Sequence, residues 1–376
     1  METNTTTTET YDVIVVGGGA AGVGVATVLK DADIENFVVL ERRTVGASFA
    51  AWPAETRFIT PSFATNSIGM LDLNSIAIGV SPAYSLEAEH PSGAAYASFL
   101  QVVAKHFELP IREQTDVVRV SKVEDEFHVE TADATLRARH VIWAAGEFQY
   151  PRLNGFPGAE LCRHTATIAS YDELDGDEFI IIGGYESGID AAYHLAYRDK
   201  RVRLFDKGCP WKAESSDPSI ALSTFSLERT REDWFEEYVE LFPDTPVSTV
   251  ARVESGYELT TADGRRFQTS VAPLLAGGFE GSHKLVADLF EKRDDGFPLL
   301  NEHDESTIVP GMFLCGPAVR HDDHVFCFIY KFRQRFAVVA KAIATSLGLP
   351  AEDLEEYRKH GMYLDDLSCC GEEYAC

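Results

Sequence analysis

The chain has 376 residues, 45% of them hydrophobic and 11% aromatic, more than one ordinary domain and enough for two packed cores. Its 60 acids against 33 bases give a formal net charge of −27, a surface that repels nucleic acid and anionic lipid and so excludes both as partners. The acids are spread along the chain and most of the bases are arginine, as expected of a halophilic protein whose self-repulsion is screened by salt; an acidic mesophile protein is the plain alternative.

The polar start, Met1 to Thr10, has no basic region followed by an apolar run, so it does not read as a signal peptide. No apolar run reaches the roughly 18 residues of a membrane span. The expectation is a soluble, cytoplasmic protein. Its seven cysteines are an odd number, and a reducing compartment argues against a disulfide framework.

The first element reads Asp12-Val-Ile-Val-Val-Gly17-Gly18-Gly19-Ala20-Ala21-Gly22: an apolar β-branched strand, a glycine turn and a small-residue helix. Gly17 allows the tight turn, Gly19 lets a pyrophosphate approach the backbone, and Gly22 lets helix and sheet pack closely. The helix N-terminus offers N–H groups and partial positive charge to the anion. The next strand, Asn36 to Glu41, ends in an acid suited to the hydroxyls of an adenosine ribose, at about the spacing the fingerprint requires. Residues 42 to 92 read as irregular. A helix is predicted over Ala94 to Phe107, then short strands at Asp116–Val123, Phe127–Glu130 and Ala134–Ala138, and a strand from Arg139 closing on Ala144-Ala145-Gly146.

After a linker with Pro151 and Pro157, the opening pattern returns as Phe179-Ile-Ile-Ile-Gly183-Gly184-Tyr185-Glu186-Ser187-Gly188. Its following strand ends at Asp206, aligned with Glu41. An acid there favours a free ribose hydroxyl and leans towards NADH over NADPH, a lean softened by Lys207. This copy is worn. Tyr185 stands where the phosphate-approach glycine belongs, and Glu186 brings negative charge to an anion site. A strand at Val271–Phe279 returns towards the first unit, Met312–Gly316 forms another, and a long helix is expected over about Phe328 to Ser346.

These landmarks resemble the two-dinucleotide-binding-domain flavoproteins, the pyridine nucleotide–disulfide oxidoreductases and flavin monooxygenases, over Tyr11 to about Leu347. The look is most similar to bacillithiol-disulfide-reductase-like proteins. The resemblance implies an α/β fold of two Rossmann-like βαβ nucleotide-binding domains, the second inserted into the first. It divides the chain into residues 8–150 (FAD-binding, first part), 151–275 (NAD(P)-binding), 276–350 (FAD-binding, second part) and an acidic, cysteine-containing tail, 351–376. It implies FAD held by Gly17, Gly19, Ala20, Ala21, Gly22, Glu41, Arg42, Val118, Ala145, Gly146 and Gly316. It implies NADH or NADPH on Gly183, Gly184, Ser187, Gly188 and Asp206. Pro317 replaces the aspartate that follows the late glycine in the family.

The acceptor of the electrons is the open question. Residues 42 to 161 contain no cysteine, and Ala21 stands where the bacillithiol-disulfide-reductase-like proteins carry one. The tail, Ser368-Cys369-Cys370-Gly371 onward to Cys376, offers a mobile dithiol, Cys369 and Cys370, that strain would make easy to reduce. Its acidic neighbours oppose thiolate formation, and an incidental acidic tail is the alternative. His321, Asp322, Asp323 and His324 precede the long helix, in a turn the family places by the isoalloxazine ring. Either histidine suits acid/base work there; a solvated loop is the plain reading, and no metal is expected. The expected function is an FAD-dependent NAD(P)H oxidoreductase passing hydride to a low-molecular-weight disulfide or other small acceptor. A flavin monooxygenase is the alternative, and a flavin-binding protein with a degenerate nicotinamide site is the next. A homodimer is allowed but not required.

Overall fold

The computed structural model describes residues 9–64, 71–215 and 219–369. Two sheets with parallel inner strands organise them. The first sheet starts with β1 (Thr10–Val16), β2 (Phe37–Leu40), β3 (Ile111–Arg112), β4 (Val117–Val123), β5 (Glu126–Thr131) and β6 (Thr135–Trp143) in the order β3-β2-β1-β6-β5-β4. The inner strands are parallel and β4–β5–β6 form an antiparallel meander. The strands predicted at 134–138 and from 139 are one continuous β6, because its alternating first half extends the meander while its apolar second half lies beside β1.

All four residues of β2 are buried, as expected of a parallel strand covered on both faces. Helix α1 (Ala20–Asp31) buries its first ten residues. Each fully enclosed Val or Leu on it contributes roughly 1.5–3 kcal/mol relative to an exposed side chain. Its other neighbour is the helix Phe336–Leu347, and a Cβ at Gly24 would lie 2.3 Å from the Phe336 ring, so the glycine sets how closely the two approach.

The second sheet joins β7 (Arg163–His164), β8 (Glu178–Ile182), β9 (Arg201–Phe205), β10 (Val239–Phe242) and, later in the chain, β14 (Leu274–Leu275), in the order β10-β9-β8-β14-β7. A three-stranded antiparallel sheet of β11 (Val247–Val253), β12 (Gly256–Thr261) and β13 (Arg266–Thr269) covers one face, Val250 and Leu259 packing with Ile180, Ile182, Phe205 and Leu275. No strand was expected over these residues, since each strand buries few positions and is polar outside. The chain then returns to the first sheet as β15 (Met312–Leu314), parallel to β6. A small hairpin, β16 (Arg320–His321) with β17 (His324–Val325), leads into the last helices.

The long helix expected from Phe328 is broken into Ile329–Phe332, a tighter 3₁₀ turn Arg333–Arg335, and Phe336–Leu347. Two buried arginines occupy that turn. Arg333 donates to the Ser75 and Asp72 carbonyls, and Arg335 to the fully enclosed Asp304 carboxylate at 2.8 Å. A regular apolar face could not meet those polar partners. Among the described residues no helix is long and apolar enough to cross a membrane.

Candidate functional site: two glycine turns and the seam between them

The two glycine turns are alike in backbone. Gly17 and Gly183 have φ of 111° and 100°, and a Cβ on either would collide with a neighbouring strand-end carbonyl, Ala144 O at 2.5 Å or Ala276 O at 2.4 Å. A Cβ on Gly22 or Gly188 would lie 1.8 Å from the Gly17 or Gly183 oxygen, so both helices need glycine to start where they do. The acids also correspond. Glu41 accepts from the Gly18 N–H at 2.6 Å and the Arg43 N–H at 2.8 Å; Asp206 accepts from the Gly184 N–H at 2.7 Å and the Gly208 N–H at 2.8 Å. Each acid is thus fixed at the carboxyl end of its sheet, where α/β folds bind ligands.

The turns differ in the space above them. Gly19 caps α1 with φ −84° and ψ −167°, and a Cβ there would meet nothing within 4 Å. That open cradle beside the helix N-terminus, with Glu41 at its edge, fits the pyrophosphate and ribose of a dinucleotide. Tyr185 caps the helix Glu186–Ala196 with nearly the same angles, φ −83° and ψ −166°. Its hydroxyl donates to the Ala221 carbonyl at 2.7 Å. The Glu186 carboxylate accepts from the Ser223 N–H at 2.5 Å and the Ser226 hydroxyl at 2.5 Å, yet burial pushes its pKa up. The Trp211 ring lies against Gly184, 2.5 Å from where a Cβ would stand. Trp211 and the Ala221–Ser226 stretch therefore lie over the second turn, while the first is open.

The other sequence-predicted positions are partly gathered here. Ala144-Ala145 abuts Gly17, Gly146 accepts from the Ser282 N–H at 2.9 Å, and a Cβ on Gly316 would lie 3.1 Å from that of Ala21. Gly17, Ala21, Ala145, Gly146 and Gly316 thus converge at the ends of β1, β6 and β15. Val118 stands apart, 63% exposed at a register shift of β4. Arg42 follows Glu41 half-exposed. His321 is turned inward, buried with Nε2 2.5 Å from Asp304, which Arg335 also holds, rather than lying in a solvated loop; His324 is half-exposed across the hairpin. Of Cys369 only the backbone, ending a short helix Leu367–Cys369, is described, and Cys370 lies outside the described residues.

Several residues of the seam carried no motif. Phe49, Trp52, Phe58 and Tyr96 pack ring on ring, and Trp52 reaches Phe148 at 6.4 Å, forming an aromatic wall beside Gly146. Burial pushes the Glu147 carboxyl up, with Arg320 and Arg152 opposing. The Arg320 guanidinium lies 4.3 Å from the Phe297 ring. Polar ties pin the wings together. Thr56 and Arg229 both donate to Asp190 at 2.6 Å, Arg198 donates to Glu55 at 2.8 Å, and His90 stacks on Phe225 at 4.1 Å. Burial works against ionisation of Asp190 and Glu55, but their bonds and cationic partners hold both carboxyls below the usual range. None of this is periodic, and each tie between the wings joins residues far apart in the chain.

Residues 14–316 match the model of the pyridine nucleotide-disulphide oxidoreductase family. The bacilliredoxin reductase Bdr of Bacillus subtilis is 23% identical over 341 residues, covering 88% of this chain and 97% of that protein. The uncharacterized oxidoreductase CzcO of the same organism is 25% identical over 195 residues, 50% of this chain and 52% of that one, so the match spans about half the length of that relative. Among solved structures, the bacillithiol disulfide reductase Bdr (YpdA) from Staphylococcus aureus aligns with a TM-score of 0.73 at 19% identity, over 90% of this chain and 99% of that one. A flavin-containing monooxygenase from Stenotrophomonas maltophilia aligns at 0.68 and 16% identity, with coverage of 90% and 99%. At such identities these two structures share the fold alone.

Proposed function

The chain belongs to the pyridine nucleotide-disulphide oxidoreductase family, and from that premise we propose that it is an FAD-dependent NAD(P)H oxidoreductase delivering electrons to a disulfide or another small acceptor. The observation that carries the reading is the pair of glycine turns, alike in backbone and each bonded to its own acid, at the ends of two separate parallel sheets. When bound, FAD supplies hydride acceptance and two-electron release. The residues do the holding. Gly17, Gly19, Ala20, Ala21 and Gly22 receive the pyrophosphate, Glu41 and Arg42 flank the ribose, and Ala145, Gly146 and Gly316 shape the approach to the ring, with Val118 on the adenine side.

In the second wing Gly183, Gly184, Ser187 and Gly188 receive the nicotinamide nucleotide. Asp206 accepts from the ribose hydroxyls and disfavours a 2′-phosphate, which makes NADH the preferred donor. The name of the Staphylococcus aureus structure supports a low-molecular-weight disulfide as the acceptor. A second reading, in which this wing no longer takes a nucleotide, is favoured by one arrangement: Tyr185 and Trp211 lie where phosphate and ribose would approach.

Anaerobic titration of the purified protein separates the readings. The expected result is a yellow protein bleached by NADH at lower concentration than by NADPH, then reoxidised by a disulfide. Absence of flavin would end the main reading. Flavin untouched by either nucleotide selects the second reading. Oxygen-dependent hydroxylation of an organic substrate would favour a monooxygenase.

A further inference from the structure

The stretch Ala221–Arg229 makes contacts in two directions. Towards the second turn its contacts are polar. The Ala221 carbonyl accepts from the Tyr185 hydroxyl at 2.7 Å, and the Ser223 N–H and Ser226 hydroxyl donate to the Glu186 carboxylate, each at 2.5 Å. Tyr185 holds the cap position that Gly19 holds in the first wing, where a Cβ meets open space, so its side chain rises into the volume a pyrophosphate would take. Leu222 is buried in the core of the second wing and Tyr185 packs against the edge of that core. The stretch is therefore anchored, and what can yield is the tyrosine that it holds.

Towards the first wing the contacts are a ring stack and a shared carboxylate. The Phe225 ring stacks on His90 at 4.1 Å and carries the Arg229 guanidinium, also at 4.1 Å. His90 is itself fixed in the first wing, its Nδ1 2.7 Å from the Phe58 carbonyl oxygen. Arg229 and the first-wing Thr56 meet on Asp190, one turn along the helix Glu186–Ala196 from Glu186. Two separate first-wing segments, at 56 and at 90, thus bear on one stretch whose other side is bonded to the second glycine turn. That is a continuous chain of contacts from the first wing to the nucleotide cradle of the second.

We propose that Ala221–Arg229 is an autoinhibitory strap: held by Thr56 and His90 of the first wing, it keeps Tyr185 across the second glycine turn, and a nicotinamide nucleotide enters when the strap lets the tyrosine go. The proposal rests on the reading of the second wing as a nicotinamide nucleotide site. In the closed arrangement, seen here, the Tyr185 hydroxyl is on the Ala221 carbonyl. In the open one the tyrosine has turned out of the cradle and the pyrophosphate takes the N–H groups at the helix start. Glu186 stays on Ser223 and Ser226 in both, which keeps its charge off the phosphate. The nucleotide binds only the open arrangement, so its apparent affinity is the intrinsic one scaled by the open fraction. The first wing sets that fraction without touching the nucleotide. Linkage then requires the nucleotide to loosen the strap's hold on the first wing by the same factor.

Calorimetric titration of the holoprotein with NAD⁺ and NADP⁺, neither of which reduces the flavin, measures binding alone. Tyr185→Phe keeps the ring and removes the hydroxyl, and should tighten NAD⁺ about fivefold, the worth of one hydrogen bond. Thr56→Val and His90→Leu stand at neither glycine turn, and each should tighten it about twofold or more through the strap. Combined with Tyr185→Phe, either should add less than its own gain, since both release the same tyrosine. The same gains in a Glu186→Gln background would show that they do not come from the carboxylate. The two first-wing positions are independent, so either decides the coupling if the other variant does not fold. Unchanged or weaker binding in Tyr185→Phe, a gain there with none from the first wing, or full additivity overturns the proposal. NAD⁺ binding without bleaching by NADH overturns the oxidoreductase reading and leaves the strap to the binding series. No binding of either nucleotide by any form overturns both.

Discussion

The first and second glycine turns share every feature that the fold requires and differ in the one that only a ligand requires. Gly17 and Gly183, and Gly22 and Gly188, stand where any side chain would strike backbone oxygen. Gly19 has no such constraint, since a Cβ there finds open space, and it is this position that becomes Tyr185 in the second wing. Glycines that protect the chain from itself therefore appear in both wings. The glycine that keeps space for a phosphate appears in one. Tyr185 and Glu186 are instead tied to the Ala221–Ser226 segment, which makes the second turn a packed junction as well as a cradle.

The sharpest way to break the comparison is to add one methyl to each helix start. Gly22→Ala and Gly188→Ala place a Cβ 1.8 Å from backbone oxygen, and each should destabilise its wing by about 3 kcal/mol or more. Gly22→Ala should yield protein without yellow flavin. Gly188→Ala should keep the flavin and lose bleaching by nicotinamide. Thermal melts with spectra taken on the same samples check both; loss of flavin in Gly188→Ala would show that the wings do not behave as separate sites.

The next effect tests how the wings are held together. Asp190→Ala removes the acceptor of Thr56 and leaves Arg229 largely buried without its partner, a loss of about 3–5 kcal/mol. Folded-state pKa values of Asp190 and Glu55 lie below their ordinary ones, so their stabilisation is present above the usual carboxylate range and fades as pH falls through it. Burial depresses the pKa of His140, His164 and His283, so protonation in the unfolded chain removes further stability as pH falls below about 6.5. Glu147 and Glu186 are raised and oppose this trend, since ionising them above their ordinary range costs folded-state stability. The expected net result is a melting temperature that drops on acidification from neutral pH, with a shallower drop in Asp190→Ala.

Smaller still are the ribose acids. Glu41→Ala should weaken FAD by about 10–100-fold, the value of one or two charge-assisted bonds, and Asp206→Ala should weaken NADH more than NADPH. Equilibrium titrations of each nucleotide check this; equal losses for NADH and NADPH would remove Asp206 as the discriminating group. Tyr185→Gly opens the second cradle but loses the bond to Ala221, worth about 1 kcal/mol. Tighter nicotinamide binding in that variant would mean that the tyrosine obstructs. The smallest effect treats both wings alike: added salt should raise the melting temperature by screening the net charge of −27, and a flat response would favour an acidic mesophile protein over a halophile.

Much of the architecture was legible because its signals are local. An apolar run before Gly17 or Gly183, an acid ending the next strand and the helix placed at 94–107, observed as Gly93–His106, all follow from neighbouring residues. What was misread depended on distant partners. The break at Arg333–Arg335 answers to Asp304 and the 72–75 segment, and the inward turn of His321 answers to Asp304 as well. The draping of Trp211 over Gly184 and the ties of Asp190 to Thr56 and Arg229 join positions that no spacing rule connects.

The amino-acid order alone thus determined the repeated strand–turn–helix units, their acids and the worn state of the second copy, because each is a matter of backbone sterics and charge within a few residues. Only the tertiary structure decided what lies above each turn and which polar groups pin the wings. Those outcomes depend on burial and on contacts between residues remote in the chain, and a side chain's desolvation and partners exist only once the sheets have brought those segments together.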